Sequence, residues 1–277
     1  MKKITTFILV LISINQLNSQ TIEKIVKNIE KVNIIQDETI GSTENKSENF
    51  INYELLKSKA SIEELVKLTN HKNSVVNAYS TFALIEKSNK KFPEIFTKFL
   101  NNDKTANTRS GCIESEDKIS SEIYHFYWNS LKQNERENDE ILLKIDSITL
   151  YNKNSDWLLI LRALENRIFP MKFNSQIEYL AFEKQNENAI FYLNNWYKAE
   201  YKEKLKKTFL DFLKNTNFKE EGNQKFYEII VELFKFNDYL VNEEIKNKLK
   251  IEKDWINEKS KFENLLQKYG IYENLDK

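Results

Sequence analysis

Residues 61–85 read SIEELVKLTNHKNSVVNAYSTFALI and carry the clearest local grammar in a chain of 277 residues. Ser61-Ile62-Glu63-Glu64 has the form of a capping box, in which the serine side chain accepts from the third helical N–H and Glu64 reaches back to the cap. Ile62, Leu65, Val66 and Leu68 then share one helical face, Asn70 to Asn73 break the pattern, and Val75, Val76, Ala78, Tyr79, Phe82, Ala83 and Ile85 build a second, longer amphipathic helix. The spacing predicts a helical hairpin closed by a short polar turn.

The order recurs downstream. Ser175-Gln176-Ile177-Glu178 repeats the box, and Ile177, Leu180 and Ala181 precede a Lys184–Asn188 turn and an apolar face of Ile190, Phe191, Leu193, Trp196 and Tyr197. Aligned without gaps, Asn73 matches Asn188 and Val75 matches Ile190. A third unit runs from Ile141, Leu142, Ile145 and Ile148 through a turn at 151–154 into Trp157, Leu158, Leu161 and Leu164. Further helices are predicted at Phe50–Ser58, Glu94–Leu100 behind Pro93, Leu205–Leu213, Phe226–Phe236 and Glu243–Tyr269, the last ending at Gly270. Ile22, Ile25, Val26 and Ile29 open the chain with helical spacing, and the polar stretch 36–49 reads as a flexible loop. Hairpins that cannot each bury a face alone are expected to stack as a solenoid.

Residues 64–84 resemble a HEAT repeat, whose second helix follows a Val-Arg-x-x-Ala-x-x-Ala-Leu pattern, with Asn77 at the arginine position. The stretch from Leu55 through Ser110-Gly111-Cys112 is similar to exported HEAT-like proteins that have no assigned reaction. The resemblance covers about a quarter of the chain. It implies an all-α, right-handed α-α superhelix of the armadillo type and implies no chemistry.

Composition points the same way. Four glycines and two prolines make about 2% of the chain where an average domain has roughly 12%. Sandwiches, barrels and glycine-loop nucleotide folds are thereby excluded, and an all-α chain is what remains. The turns are written in Asn, Lys, Ser and Asp, so each hairpin is expected to close on capping side chains and not on left-handed backbone. Gly111 beside Cys112 is the one glycine with no helix-end explanation.

Met1-Lys2-Lys3 followed by an apolar run to Leu17 has the form of a secretory signal, cleaved after Ser19, which places the protein in the periplasm or outside the cell. The run is shorter than a spanning helix, so no membrane insertion is expected after cleavage. The organisation expected is residues 1–19 as signal, 20–135 as an N-terminal HEAT-like region and 136–277 as a helical-hairpin region continuing the same stack, with residues 21–54 and 243–277 as caps.

Lys and Arg total 42 and Asp and Glu 42, and removing Lys2 and Lys3 leaves 40 against 42. That balance argues against a nucleic-acid partner. Mixed-sign runs such as 198–207 read as solvated helix. His71 and His125 are isolated in sequence, so no metal and no cofactor are expected. His71 reads as a solvated turn residue. No serine sits in a nucleophile elbow. Cys112 cannot form an internal disulfide and reads as a small buried residue more readily than as a nucleophile, and its acidic neighbours Glu114, Glu116 and Asp117 do not favour a reactive thiolate.

The expectation is therefore a non-enzymatic binding protein that takes a protein or peptide on the concave face of the stack. Tyr79, Arg109, Cys112, His125, Trp128, Trp157 and Trp196 are the candidate binding residues, since aromatic and arginine side chains anchor interfaces. Two other classes remain open: an envelope immunity or inhibitor protein against a toxin or hydrolase, and an enzyme that uses Cys112 with His125.

Overall fold

The computed structural model describes residues 21–41, 45–216 and 218–275. The signal expected over 1–19 and its cleavage point lie outside the described residues. The chain divides into two compact units, Met1–Pro170 and Met171–Lys277. The division falls at Pro170, which separates two repeat-like segments in the sequence. Both units are mostly helical; the first also holds one three-stranded sheet, which corrects the expectation of a chain without strands.

In the first unit, residues 21–32 form α1 and bury the predicted face of Ile22, Ile25, Val26 and Ile29. Strand β1 (Ile35–Ile40) lies where a loop was expected, and α2 (Glu48–Lys59) follows. Next come α3 (Ile62–Leu68) and α4 (Ser74–Glu86), the predicted hairpin. Its capping box is the one read from the sequence, and Asn73, a turn residue in that reading, caps α4. Glu64 N–H donates to Ser61 Oγ at 3.2 Å, Ser61 N–H donates to Glu64 Oε2 at 2.8 Å, and Val76 N–H donates to Asn73 Oδ1 at 3.0 Å. Each such cap satisfies helix-end N–H groups that otherwise have no partner.

Helix α4 is buried all round, from Val75 to Ile85, and so is the centre of this unit and not a one-sided helix. The hydroxyls of Ser80 and Thr81, inside that core, donate back to the carbonyls four residues earlier, at 2.7 and 2.8 Å. Around it pack α2, α3, α5 (Phe92–Asn101), α6 (Ile119–Ser130) and two strands of the sheet. The unit continues through α7 (Gln133–Arg136) to the expected hairpin of α8 (Glu140–Tyr151) and α9 (Trp157–Glu165), capped by Asp139 and Asp156.

The second unit opens on a 3-10 turn at Met171–Phe173, then α10 (Asn174–Glu178), a π turn at Tyr179–Glu183 and α11 (Glu187–Trp196). Ser175 therefore sits inside α10, and the second capping box does not form. The cap of α11 is Asn186, whose Oδ1 accepts from Ala189 N–H at 3.0 Å, and not the aligned Asn188. Helices α12 (Lys198–Asn215) and α13 (Phe218–Phe234) follow. The predicted helix Glu243–Tyr269 is broken at Glu252 into α14 (Tyr239–Ile251), a 3-10 stretch (Lys253–Glu258) and α15 (Lys259–Lys268). The break lets Trp255 turn inward, 1% exposed, with its indole N–H donating to Leu249 O at 2.8 Å.

Helix C-termini do use left-handed backbone, against expectation. Asn33, Ser88, Gln185 and Asn237 have φ near +50° where glycine is the usual choice, and among the described helices only α15 closes on a glycine, Gly270. At Ser88 and Gly270 the following N–H bonds back to the preceding helix, Asn89 to Leu84 O at 3.0 Å and Ile271 to Leu266 O at 2.9 Å.

Candidate functional site

Strands β2 (Thr105–Gly111) and β3 (Ile113–Lys118) form an antiparallel hairpin whose register pairs Ser110 with Ile113 and Thr105 with Lys118. A two-residue loop, Gly111-Cys112, connects them. Gly111 has φ +57° at the first loop position, the pattern of a II′ turn, whose twist matches that of the strands. This is the structural reason for the glycine that helix grammar could not explain. No neighbour crowds its Cα, so the backbone angle alone requires glycine.

β1 joins β2 in parallel, Ile35 opposite Thr108 and Gln36 opposite Arg109. Two contacts anchor this polar segment. Gln36 N–H donates to the buried Tyr79 hydroxyl at 2.9 Å, and the Gln36 side chain accepts from Asn49 N–H at 2.9 Å. The outer side of β1 is covered: Ser47 N–H donates to Glu38 O at 2.8 Å, and Thr39 bridges to Lys46.

The outer side of β3 is not covered. A two-residue loop makes Ile113, Ser115 and Asp117 the residues bonded to β2, so the backbone groups of Glu114 and Glu116 point away from the sheet. Among the described residues nothing pairs with them. Every β3 residue is exposed except Asp117, which is half-buried.

The face of the sheet nearest α6 carries carboxylates and hydroxyls. Thr108 and Ser115 hydroxyls lie 2.8 Å apart and both donate to Asp117 Oδ2, at 2.6 and 2.5 Å; Ser110 donates to Asp37 at 2.5 Å. Glu122, on the first turn of α6, faces Asp117 and Asp37. Burial, then those two charges, push its carboxyl up to about 7. One helical turn further along α6, burial followed by the Arg162 charge holds the His125 imidazole below its ordinary range. Asp156, which caps α9, receives Lys118 at 3.7 Å. No group of three or more His, Cys, Asp or Glu among the described residues is placed to share a metal ion.

The residues expected from sequence are scattered over these elements. Tyr79 is 1% exposed and stacked on Tyr53 at 5.1 Å, so it presents no surface to a partner. Arg109 lies on β2, paired with Glu114 at 3.3 Å. Cys112 is exposed at the hairpin tip, correcting its reading as a buried residue, with the whole of β3 between it and the helix that carries His125. Trp128 is half-buried, its N–H donating to Asn166 at 2.8 Å and its ring centroid lying 3.2 Å from the Arg136 guanidinium. Trp157 in the first unit and Trp196 in the second are exposed.

His71, read as solvated, is half-buried and borders a groove of about 400 Å³ floored by Ile22, Val26 and Leu68; its Nδ1 accepts from Asn73 N–H at 3.2 Å. The candidate feature that residue types do not reveal is the open β3 edge, with Glu114, Glu116, Glu122 and Asp37 around it. Its one sequence signal is Gly111, the glycine that no helix end explains. No described helix is long and apolar enough to cross a membrane. Comparison with protein-family models, with curated proteins and with solved structures finds no match to this chain.

Proposed function

We propose that this is an exported, non-enzymatic binding protein that recognises a protein or peptide, and that it does so by adding a strand to the free edge of β3. The carrying observation is the outward backbone of Glu114 and Glu116, solvent-facing and unpaired among the described residues, on a sheet whose opposite edge is covered. Strand addition of this kind takes its affinity from main-chain hydrogen bonds and its specificity from alternate side chains. The helices have the role of a scaffold in this reading. Their hairpins stack in the right-handed, HEAT-like superhelical sense, a view supported by the matched capped pairs α3–α4 and α8–α9.

Two outward residues offer four backbone bonds. At about 1 kcal/mol net each, these supply about 4 kcal/mol, which corresponds to a dissociation constant of roughly 1 mM. Side-chain contacts must provide the rest. The test is a photo-crosslinking residue at Ile113, which is 73% exposed beside the edge, with one at Leu240 in the second unit as control. A discrete protein adduct from position 113 and none from 240, in cells producing the full chain, is the expected result. Adducts from 240 alone would sink the edge reading.

A further inference from the structure

The open edge of β3 is acidic. From Ile113 to Lys118 the strand carries Glu114, Glu116 and Asp117 against a single lysine, and Lys118 already faces Asp156. Glu114 has Arg109. Glu116 accepts only the Thr105 hydroxyl, at 2.5 Å, and Asp117 accepts only hydroxyls, so neither meets a cation among the described ion pairs. The two lie on opposite faces, because adjacent residues of a strand alternate. Behind Asp117 stand Asp37 and Glu122. A strand laid along β3 would therefore find unpaired negative charge beside its side chains on both faces.

We infer that the occupant of the β3 edge is an extended segment of another protein carrying Lys or Arg at alternate positions, an inference that rests on the strand-addition reading above. Charge complementarity excludes the obvious competitors. A second copy of this chain pairing antiparallel along this edge would bring Glu116 against Glu114 or against its own equivalent, and like charges placed opposite each other destabilise a ladder. An acidic segment meets the same repulsion. A neutral segment gains the backbone bonds alone. A cationic one gains those bonds and the paired charges, and it is the one occupant whose arrival lowers the repulsion around Glu122.

The test uses the full chain and three capped eight-residue peptides that alternate threonine with lysine, with glutamate or with serine, plus the lysine peptide N-methylated on one edge of its backbone. Affinity is read by titration and the edge by hydrogen exchange at the Glu114 and Glu116 amides. The expected result is that the lysine peptide binds at least tenfold tighter than the serine peptide, protects both amides, and weakens about tenfold between 50 and 500 mM salt as exposed charges are screened. N-methylation should abolish binding. Glu116→Gln should lose several-fold in affinity, and Glu116→Pro, which also removes an outward N–H, should lose all of it. Pro is tolerated at such an edge position; should that variant fail to fold, the methylated peptide and Glu116→Gln still decide the matter. Equal affinity for serine and lysine peptides, with both amides protected, would overturn the cationic inference and leave strand addition standing. No protection by any peptide would overturn strand addition itself. Concentration-dependent protection without peptide would identify a second copy as the occupant and overturn the inference.

Discussion

Replacing Glu122 with glutamine should stabilise this protein at pH 8 and leave it unchanged at pH 4. Glu122 is held between α6 and the sheet, where burial first and then Asp117 and Asp37 raise its carboxyl from 4.5 to about 7. A carboxyl whose folded pKa lies above its unfolded one binds more protons in the native state between those values, so stability is full below about 4.5 and falls as pH rises towards 7. At roughly 1.4 kcal/mol per unit, the shift sets an upper bound of about 3 kcal/mol on the penalty at alkaline pH. Partial solvent contact reduces it, and about 1–2 kcal/mol is the expected gain for the variant. In a unit of this size that corresponds to a rise of about 2–8 °C in melting temperature. Calorimetric melts of both proteins from pH 4 to 8 would show two curves that coincide at the acid end and diverge through pH 5–7. Curves offset equally at all pH values would mean that the introduced amide packs differently and that the charge is not what destabilises. Coincident curves at pH 8 would mean that Glu122 is solvated there and is not facing the two aspartates.

Arg167→Met should cost roughly 3 kcal/mol at pH 8 in urea unfolding, because it strands Asp146, 0% exposed and paired at 3.1 Å, in the core. The cost should shrink at pH 5, since burial already holds the Asp146 carboxyl above the ordinary range and it can protonate; an equal cost at both pH values would contradict this. Ser61→Ala should lose about 1 kcal/mol by removing a capping box formed from both sides, whereas Ser175→Ala, inside α10, should change thermal stability by no more than a few tenths. Cys112 in the native protein should react with a thiol reagent about as fast as in the urea-unfolded chain, given its place at an exposed hairpin tip. Protection of tenfold or more in the native state would place it elsewhere.

The helices were legible because their ends are written in side chains. Ser61, Asn73, Asp139 and Asp156 each cap the helix that the apolar spacing begins. The same letters misled at Ser175 because a capping box specifies two hydrogen bonds only if the serine lies outside the helix, and the 3-10 turn at Met171–Phe173 carries the helix start back to Asn174. That early start, only partly offset by the extra residue per turn of the π turn that follows, is why the cap is Asn186 and not the aligned Asn188. The sheet was missed for a different reason. A shortage of glycine excludes folds with many turns, but one hairpin needs one glycine, and Gly111 was enough. Its parallel partner β1 is drawn from about seventy residues away, and a polar segment so remote carries no local trace of the pairing.

Tyr79 and Trp128 show a related difference between what is conspicuous in a sequence and what is available at a surface. Aromatic side chains stand out in a sequence because they are large, and for that reason they are also what a core consumes: Tyr79 is spent on holding β1, and Trp128 on Asn166 and Arg136. A strand edge offers backbone N–H and C=O groups, which every residue possesses and no composition records. Only the register, with Ser110 opposite Ile113, determines that Glu114 and Glu116 and not Ser115 face outward. A single-residue slip would exchange them and turn Ser115 to the outside. Which residues of this surface can meet a partner is thus fixed by the two-residue loop at Gly111-Cys112, and lengthening that loop by one residue should move the accessible amides from 114 and 116 to their neighbours.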